Sequence, residues 1–288
     1  MHINSAHSTQ NDPNSNRVVN MIWKTLASTC ATMAFLAPWQ VFAKTPDDTL
    51  VIAQSVDIES LEPNMLNQAV SINVVSHIFG TLLSVTPQGE IVPHFATDWE
   101  WNEEGNEIAF TIREGLTCED GEVLDAEDVA YSLNRAGDPA NKFVGHSSGF
   151  VYNSIGFLGA RAEGPNRAVM TLRGYSSTVP GMAAKLFIHC KDSYEKLTLD
   201  EARVAPVASG PYRLVEWIKD DRVVLERNPS YTLADPDFDR VVWRVVPEAS
   251  TRAVELVAGN LDIAANIPPD QSAAIDAYAN AKVVSVAG

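Results

Sequence analysis

Residues 208–231 read ASGPYRLVEWIKDDRVVLERNPSY and contain the clearest local pattern in the chain. After the Gly210-Pro211 step, apolar and polar residues alternate up to an acidic turn at 219–221, and alternation then resumes until Asn228-Pro229. Two alternating runs separated by a short polar turn predict a β-hairpin. Alternation at period two places Tyr212, Leu214 and Glu216 on one face, and Arg213, Val215 and Trp217 on the other.

Strand and helix patterns intermix on both sides of this hairpin. Further strands are predicted at 49–54, 106–113, 160–173 (two strands around a Gly-Pro-Asn turn) and 240–246, and a short strand followed by a loop is predicted at 261–269. Helices are predicted where apolar residues recur at helical spacing: at 70–82, after the cap Asp125, within 178–187, from the cap Ser250 to Gly259, and at 269–281. Hairpins together with helical crossovers predict an α/β (mixed α+β) fold with mixed sheets.

The overall composition limits the classes of partner. The chain has 288 residues, 45% of them hydrophobic, which is enough to bury a sizeable core. Its formal net charge is −16, so nucleic acid and anionic lipid would both repel it. No nucleic-acid partner is therefore expected.

The first 43 residues have the composition of an extension followed by an export signal. Residues 1–20 are polar, and the stretch from Met21 to Ala43 has a cation at Lys24, an apolar run and small residues before the end. This order is typical of a secretory signal peptide cleaved after Ala43, with Met21 as an alternative start to Met1. We therefore expect export to the periplasm.

Two cysteines, Cys118 and Cys190, remain after cleavage of such a signal. In an oxidising compartment they can form one disulfide bond, which export favours, or stay as two separate buried thiols. Sequence alone leaves both alternatives open.

A short motif raises an enzymatic alternative. Residues 145–149, GHSSG, match the G-x-S-x-G pattern of a hydrolase nucleophile, which would make Ser147 the nucleophile of a periplasmic serine hydrolase. The motif needs a preceding strand and then an Asp and a His downstream, but the preceding residues are polar and no Asp lies between Ser147 and His189. We therefore expect no catalytic residues and no enzymatic activity.

Metal-ligand spacing is also absent among the scattered histidines His77, His94, His146 and His189, so neither a metal site nor a cofactor is predicted.

Four segments in order resemble one known family. They are LVIAQSVDIESLEP (50–63), the long stretch from IFGTLLS to YSLNRA (78–136), SGPYRLVEWIKDDRVVLERNPSY (209–231) and VPEASTRAVELVAGNLDIAANIPPD (246–270). Together they resemble the extracellular solute-binding proteins of ABC importers, of the oligopeptide, dipeptide and nickel type (family 5). The resemblance covers nearly all of residues 49–272.

The resemblance implies a mechanism and a set of site residues. Members of this family are monomers in which two lobes flank a cleft, and solute bound between the lobes favours a closed form that a membrane permease recognises. It implies a peptide as the solute, with a nickel chelate, an opine or an oligosaccharide as alternatives. By their loop positions, the candidate ligand-binding residues are Ser55, Asp57, Gly80, Thr81, Ser209 and Gly210.

The resemblance also implies a domain organisation, because family members are about twice as long as this chain. Residues 44–265 correspond to the first lobe of a periplasmic-binding-protein-like type II fold, with an inserted subdomain at about 84–170. Residues 266–288 correspond to the start of a truncated second lobe, and the second large lobe is missing. A truncated, non-functional fragment is therefore a further alternative.

Overall fold

A computed structural model describes residues 45–143, 145 and 151–284. Within these ranges the strands are β1 Thr49–Gln54, β2 Leu83–Val85, β3 Ile91–Pro93, β4 Ala96–Trp101, β5 Glu107–Ile112, β6 Phe157–Ala162, β7 Arg167–Leu172, β8 Tyr212–Ile218, β9 Arg222–Arg227, β10 Arg240–Val245 and β11 Ile263–Ala264. The helices are α1 Ala69–Ile78, α2 Ala126–Gly137, α3 Tyr152–Ile155, α4 Val179–Ala183, α5 Lys191–Tyr194, α6 Leu199–Ala202, α7 Ala249–Ala258 and α8 Pro269–Asp276.

The larger sheet combines parallel and antiparallel strands in the order β11-β1-β10-β9-β8. β1 runs parallel to both β10 and β11, whereas β9 is antiparallel to β10 and β8. Parallel strands need crossover connections, and the crossover from β10 to β11 contains α7. The mixed α/β architecture predicted from the sequence is therefore confirmed.

A four-stranded sheet, called the small sheet below, is antiparallel, in the order β4-β5-β7-β6, and β2 and β3 form a separate two-stranded antiparallel sheet. α2 packs against β6 and β7. Asn134 of α2 bonds both the N–H and the C=O of Ala160, at 2.9 and 2.8 Å, and so satisfies backbone groups of the edge strand β6. Surface ion pairs cross between strands of this sheet, including Arg161–Glu107 and Arg167–Glu100.

The large sheet and the small sheet each have their own hydrophobic core. The small-sheet core lies between the small sheet and α2 and includes Phe110, Leu133 and Met170. The large-sheet core includes Ile52 of β1, Ile78 of α1 and Leu225 of β9. A third, smaller cluster on the other side of the large sheet joins Val51, Ala53, Val246 and Leu261, which is the side on which Leu256 of α7 packs.

The hairpin of the opening segment is present as β8 and β9, but its faces differ from the prediction. A bulge between Leu214 and Glu216 shifts the register, so that Leu214 pairs with Leu225 and Glu216 pairs with Val224. Tyr212, Leu214 and Trp217 therefore all reach the large-sheet core. The prediction that placed Trp217 opposite Tyr212 is wrong, because an extra residue in one strand reverses the alternation beyond it.

Local signals at helix ends gave mixed results. Asp125 and Asp128 form the capping box of α2, as their spacing indicates. Gly259 ends α7 in the left-handed conformation, with φ of 80°. α7, however, begins after Glu248, so the prediction that Ser250 caps this helix is wrong and Ser250 lies in its first turn.

Strands β2, β3 and β4 went unpredicted because two are only three residues long and the third, ATDWEW, is largely polar.

Of the two alternatives for the cysteines, the structure has the disulfide bond between Cys118 and Cys190, with Cα atoms 6.2 Å apart. Cys118 precedes the turn that leads to α2, and Cys190 directly precedes α5. Both residues are fully buried in the small-sheet core. The bond therefore ties two distant parts of the chain together within one core.

Candidate functional site

The parallel strands place three loops at one edge of the large sheet. β10, β1 and β11 all end there, and the chain leaves at 246–248, 55–68 and 265–268 respectively. In open sheets of this kind, ligands bind in the crevice outside the carboxyl ends of parallel strands. We call this edge and its three loops the carboxyl edge, and it is the candidate site.

The longest of the three loops, after β1, is anchored by a buried carboxylate. Glu62 is fully buried and forms a two-pronged ion pair with Arg135 of α2, both N···O distances being 3.0 Å. The same carboxylate accepts hydrogen bonds from the backbone and side-chain N–H groups of Asn64 at 3.1 and 3.0 Å. His189 Nε2 lies 3.6 Å from Glu62 Oε1. We call Glu62, Arg135 and His189 the Glu62 cluster, and it connects the loop to α2.

The protonation states of the Glu62 cluster follow from burial and charge. Burial alone would raise the pKa of Glu62, but hydrogen bonds and charges from His189 and Arg135 outweigh it and lower the pKa to about 2. Burial lowers the pKa of His189, and its contact with the Glu62 carboxylate opposes that effect. Arg135, which pairs directly with Glu62, contributes positive charge that helps to hold the carboxylate ionised.

Beyond this anchor, the loop emerges into solvent at Asn67, Gln68 and Ala69, where α1 begins. Glu59 shapes this exposed part, because its carboxylate accepts the Asn67 N–H at 2.8 Å. Gln68 is the N-cap of α1 but makes no side-chain capping bond. This exposed stretch was not among the residues singled out from the sequence. Its only local signal is its position between a buried loop and a helix start.

Two of the predicted ligand-binding residues lie at the carboxyl edge. Ser55 directly follows β1 and is partly buried. The carboxylate of Asp57 accepts hydrogen bonds from Trp217 Nε1 at 3.2 Å and from the Asp220 N–H at 2.9 Å. Asp57 therefore holds the β8–β9 turn against the loop. A ligand contact for either residue stays a prediction.

The structure brings the other four predicted residues together where α1 ends against segments 186–190 and 208–211. Ser209 is buried, and its Oγ donates to the Ile188 carbonyl at 2.6 Å and accepts the Gly80 N–H at 3.2 Å. The N–H groups of Ser209 and Gly210 both donate to the Ile78 carbonyl. Thr81 forms an isolated bridge with Phe187. These contacts give Gly80, Thr81, Ser209 and Gly210 a packing role, and ligand binding by them stays a prediction.

The remaining sequence candidates are engaged elsewhere or lie outside the described residues. Among the described residues, Cys118, Asp120 and Glu122 come close enough together to hold a metal ion. Cys118 is bound in the disulfide, however, and Glu122 accepts N–H groups of Asp192 and Ser193. Ser147 and His146 of the hydrolase alternative, and the predicted export signal at 21–43, lie outside the described residues. Within the described ranges, every helix falls short of the length and apolar character needed to cross a membrane.

Comparison with known proteins identifies relatives over most of the chain. The glutathione-binding protein GsiB of Escherichia coli O1:K1 / APEC is 26% identical over 242 residues, which cover 82% of this chain and 46% of the relative. The periplasmic binding protein DppA from Helicobacter pylori, solved in complex with peptide STSA, superposes with a TM-score of 0.73 at 25% identity over 81% of this chain and 49% of that protein. A dipeptide-binding protein from Pseudoalteromonas sp. SM9913, solved with Met-Leu, has a TM-score of 0.71 at 21% identity, over 79% of this chain and 49% of its own. The last of these shows the fold alone.

The extent of these matches has two consequences. The chain spans about half the length of the relatives that it matches. A family model of bacterial extracellular solute-binding proteins, family 5 Middle, matches residues 90–288, well over half of the chain. The chain therefore belongs to the bacterial extracellular solute-binding proteins of family 5.

Proposed function

We propose that this chain is part of the solute-binding component of an ABC importer, and that it delivers its solute to a membrane permease by closure of a cleft. Family membership over residues 90–288 is the observation that carries the proposal. The carboxyl edge supports it, because three loops lie together at the ends of parallel strands, the position at which open sheets of this kind bind ligands. The role is binding without chemistry, in a monomer located in the periplasm after removal of the signal at 21–43.

We propose a short peptide as the solute. The relatives named above bind glutathione, the peptide STSA and the dipeptide Met-Leu, as their names and complexes state. Peptides can be held through their backbone groups by strand-like hydrogen bonds, with side-chain pockets setting the preference. The polar groups of Ser55 and of the exposed stretch Asn67–Ala69 are suited to such contacts.

The domain organisation is part of the same proposal. Residues 44–265 form the first lobe, and the inserted subdomain at about 84–170 contains most of the small-sheet core. Residues 266–288 begin the second lobe, which would supply the opposite wall of the cleft. A ligand would then contact the carboxyl edge on one side and that second lobe on the other.

Native mass spectrometry of the protein from the exported fraction of its host tests the proposal first. It reports the mass of the chain and of any retained ligand together. A retained peptide would support the proposal and identify the solute class. A chain with the mass of residues 44–288, no retained ligand and no binding of added peptides would overturn it.

Titration calorimetry with a peptide panel provides the second test. The panel consists of glutathione, Met-Leu and Ser-Thr-Ser-Ala. If Ser55 contacts the solute, Ser55→Ala should weaken binding by roughly 2- to 12-fold, the equivalent of one hydrogen bond. The matched control is Ser177→Ala, because Ser177 is an exposed serine just before α4 and belongs to none of the three loops of the carboxyl edge. Equal affinities for both variants would remove Ser55 from the site.

A further inference from the structure

Arg252 of α7 is a buried arginine whose hydrogen-bond partners are backbone carbonyls. Its exposed fraction is 2%. Nη1 donates to the carbonyls of Val246 and Pro247 at 2.7 and 2.8 Å, Nε to that of Ala265 at 3.0 Å, and Nη2 to that of Asn266 at 2.9 Å. We call these four carbonyls the carbonyl cage. Among the described residues, no carboxylate forms an ion pair with Arg252.

Such an arrangement needs all of its hydrogen bonds. Removing a guanidinium from water is strongly unfavourable, and within the described part of the chain no opposite charge pairs with it to offset that cost. Charge-assisted bonds to four carbonyl dipoles must do so instead. The chain positions that supply the carbonyls are therefore held strongly, since losing any one of them leaves a buried charge less well solvated.

The carbonyl cage joins two of the three loops of the carboxyl edge. Val246 and Pro247 follow β10, and Ala265 and Asn266 follow β11. β1 ends between them and connects to both, because the Val246 N–H donates to the Gln54 carbonyl at 2.8 Å and the Ala265 N–H to the Ala53 carbonyl at 2.9 Å. The side chain of Arg252 thus bridges the loops that follow β10 and β11, the two strands that run parallel to β1.

The backbone of Asn266 indicates that the cage works against a local cost. Asn266 has φ of 54°, in the left-handed region that residues other than glycine seldom adopt. In this conformation its carbonyl accepts a hydrogen bond from Arg252 Nη2. A less favourable backbone conformation persists when surrounding contacts hold it, and here the guanidinium is such a contact.

We propose that Arg252 is a positioning residue for solute binding, which sets the geometry of loops 246–248 and 265–268 at the carboxyl edge. This inference rests on the proposed function for its binding consequence, but the effect on the loops does not depend on it. Arg252 makes no contact with the solute. It acts through the carbonyl cage, by keeping the loops ordered before the solute arrives, which lowers the entropic cost of binding.

Amide hydrogen exchange of the unliganded chain, followed by mass spectrometry, tests the effect on the loops. In Arg252→Met, the N–H groups of Val246, Glu248, Ala265, Asn266 and Ile267 should exchange roughly tenfold faster or more, while β9 and α1 keep their rates. Arg252→Lys should give an intermediate result, because an ammonium cannot reach four carbonyls in a fixed planar fork. If Arg252→Met does not fold, the lysine variant carries the test.

Arg244→Met is the matched control. Arg244 on β10 pairs with Glu255 of α7 at 2.6 Å, so its loss removes a cation and loosens α7 without touching the carbonyl cage. Loops 246–248 and 265–268 should keep their wild-type exchange rates in this variant. Equal acceleration in both variants would mean that Arg252 merely fastens α7, and wild-type rates in a folded Arg252 variant would mean that the cage does not order the loops. Either result overturns the inference.

The binding consequence is measured with the same peptide panel. Arg252→Met should bind the peptides at least roughly tenfold more weakly than wild type, with Arg252→Lys between them, as expected when loops must be ordered on binding. Wild-type affinity in a variant with fast-exchanging loops would overturn the positioning role. If wild-type protein binds no peptide, the proposed function fails. The exchange rates still test, independently of solute binding, whether the carbonyl cage orders the two loops.

Discussion

At the scale of single residues, Gly80 shows how one position is restricted by a distant side chain. A Cβ atom added at Gly80 would lie 1.9 Å from Cζ of Phe95, whose ring is buried in the small-sheet core. Its backbone is not in the left-handed region. The restriction is therefore steric, and the ring has little room to move because protein cores are closely packed.

We expect Gly80→Ala to lower the free energy of unfolding by about 1–3 kcal/mol, the usual cost of overpacking. Gly174→Ala is the matched control, since a Cβ there meets no atom within 4 Å and its φ is not positive. That variant should be neutral or slightly stabilised, because alanine restricts the unfolded chain. Urea denaturation of both variants checks the prediction. Equal stabilities would show that Phe95 can be displaced at little cost.

The Glu62 cluster is a second feature in which a single side chain has a large effect on stability. Glu62→Gln leaves the guanidinium of Arg135 largely buried without its counter-charge. We expect a loss of about 3–5 kcal/mol at pH 7. The control is Glu163→Gln on the small sheet, where the ion pairs with Arg161 and Arg167 are exposed and the loss should stay below about 1 kcal/mol. Urea denaturation of both variants measures the difference, and similar losses would contradict the assignment of Glu62 as the anchor.

The Glu62 cluster also predicts a pH dependence. The folded-state pKa of Glu62, about 2, lies below its ordinary value of 4.5. The stabilisation is therefore fully present above pH 4.5 and is lost as the pH falls from 4.5 towards 2. Wild-type protein should lose more stability over this window than Glu62→Gln. Parallel stability curves for the two proteins would show that Glu62 does not titrate as described.

At the scale of elements, the disulfide holds a region in which short elements meet. α5 has only four residues, so tertiary contacts must hold it. Asp128 accepts the Lys191 N–H at 2.8 Å, and Glu122 accepts those of Asp192 and Ser193. The Cys118–Cys190 bond fixes the residue directly before this helix. Carboxylate caps and the disulfide together therefore attach α5 to the elements around α2.

We expect the double variant Cys118→Ala, Cys190→Ala to be less stable than the oxidised wild type. The bond closes a loop with a sequence separation of 72 residues. A loop of that length corresponds to about 4 kcal/mol of chain entropy in the unfolded state. Guanidinium denaturation with and without reductant measures this. Reductant should destabilise wild type by a similar amount and leave the double variant unchanged, and sensitivity of the double variant to reductant would contradict the explanation.

At the scale of the whole molecule, the two main cores share the segments that separate them. The chain passes between the cores repeatedly, and residues such as Val207 pack against both. The Glu62 cluster likewise connects the loop after β1 with α2. The described part of the chain should therefore unfold as one cooperative unit.

Tryptophan fluorescence can test this cooperativity, because each core has its own pair of indoles. Trp99 and Trp101 pack against the small-sheet core, and Trp217 and Trp243 belong to the large-sheet core. Two variants of a chain that starts at residue 44, and so lacks Trp23 and Trp39, each retain one pair and have the other pair replaced by phenylalanine. In each variant, fluorescence and circular dichroism should give the same urea midpoint. A separation between fluorescence and circular dichroism midpoints within either variant would show that the cores unfold independently.

Local sequence patterns were sufficient for most elements and for the family. β1 occupies the predicted residues 49–54, the capping box of α2 lies where the Asp125–Asp128 spacing places it, and Gly259 ends α7. These features depend on residues a few positions apart, so their physical cause can be read along the chain. The family likewise follows from the order of motifs. The bulge in β8 was missed, because it becomes evident only in the pairing with β9.

The candidate site depended on contacts between residues far apart in sequence. Glu62 and Arg135 are 73 positions apart, and Gly80 and Ser209 are 129 apart. Nothing local predicts that Arg252 reaches the carbonyls after both β10 and β11, because that depends on which strands become neighbours of β1. The sequence by itself therefore determined most of the elements, the mixed sheet class and the family. Tertiary structure alone decided which polar groups are consumed by packing and which loops form the carboxyl edge, since burial and long-range pairing arise only when the chain is folded.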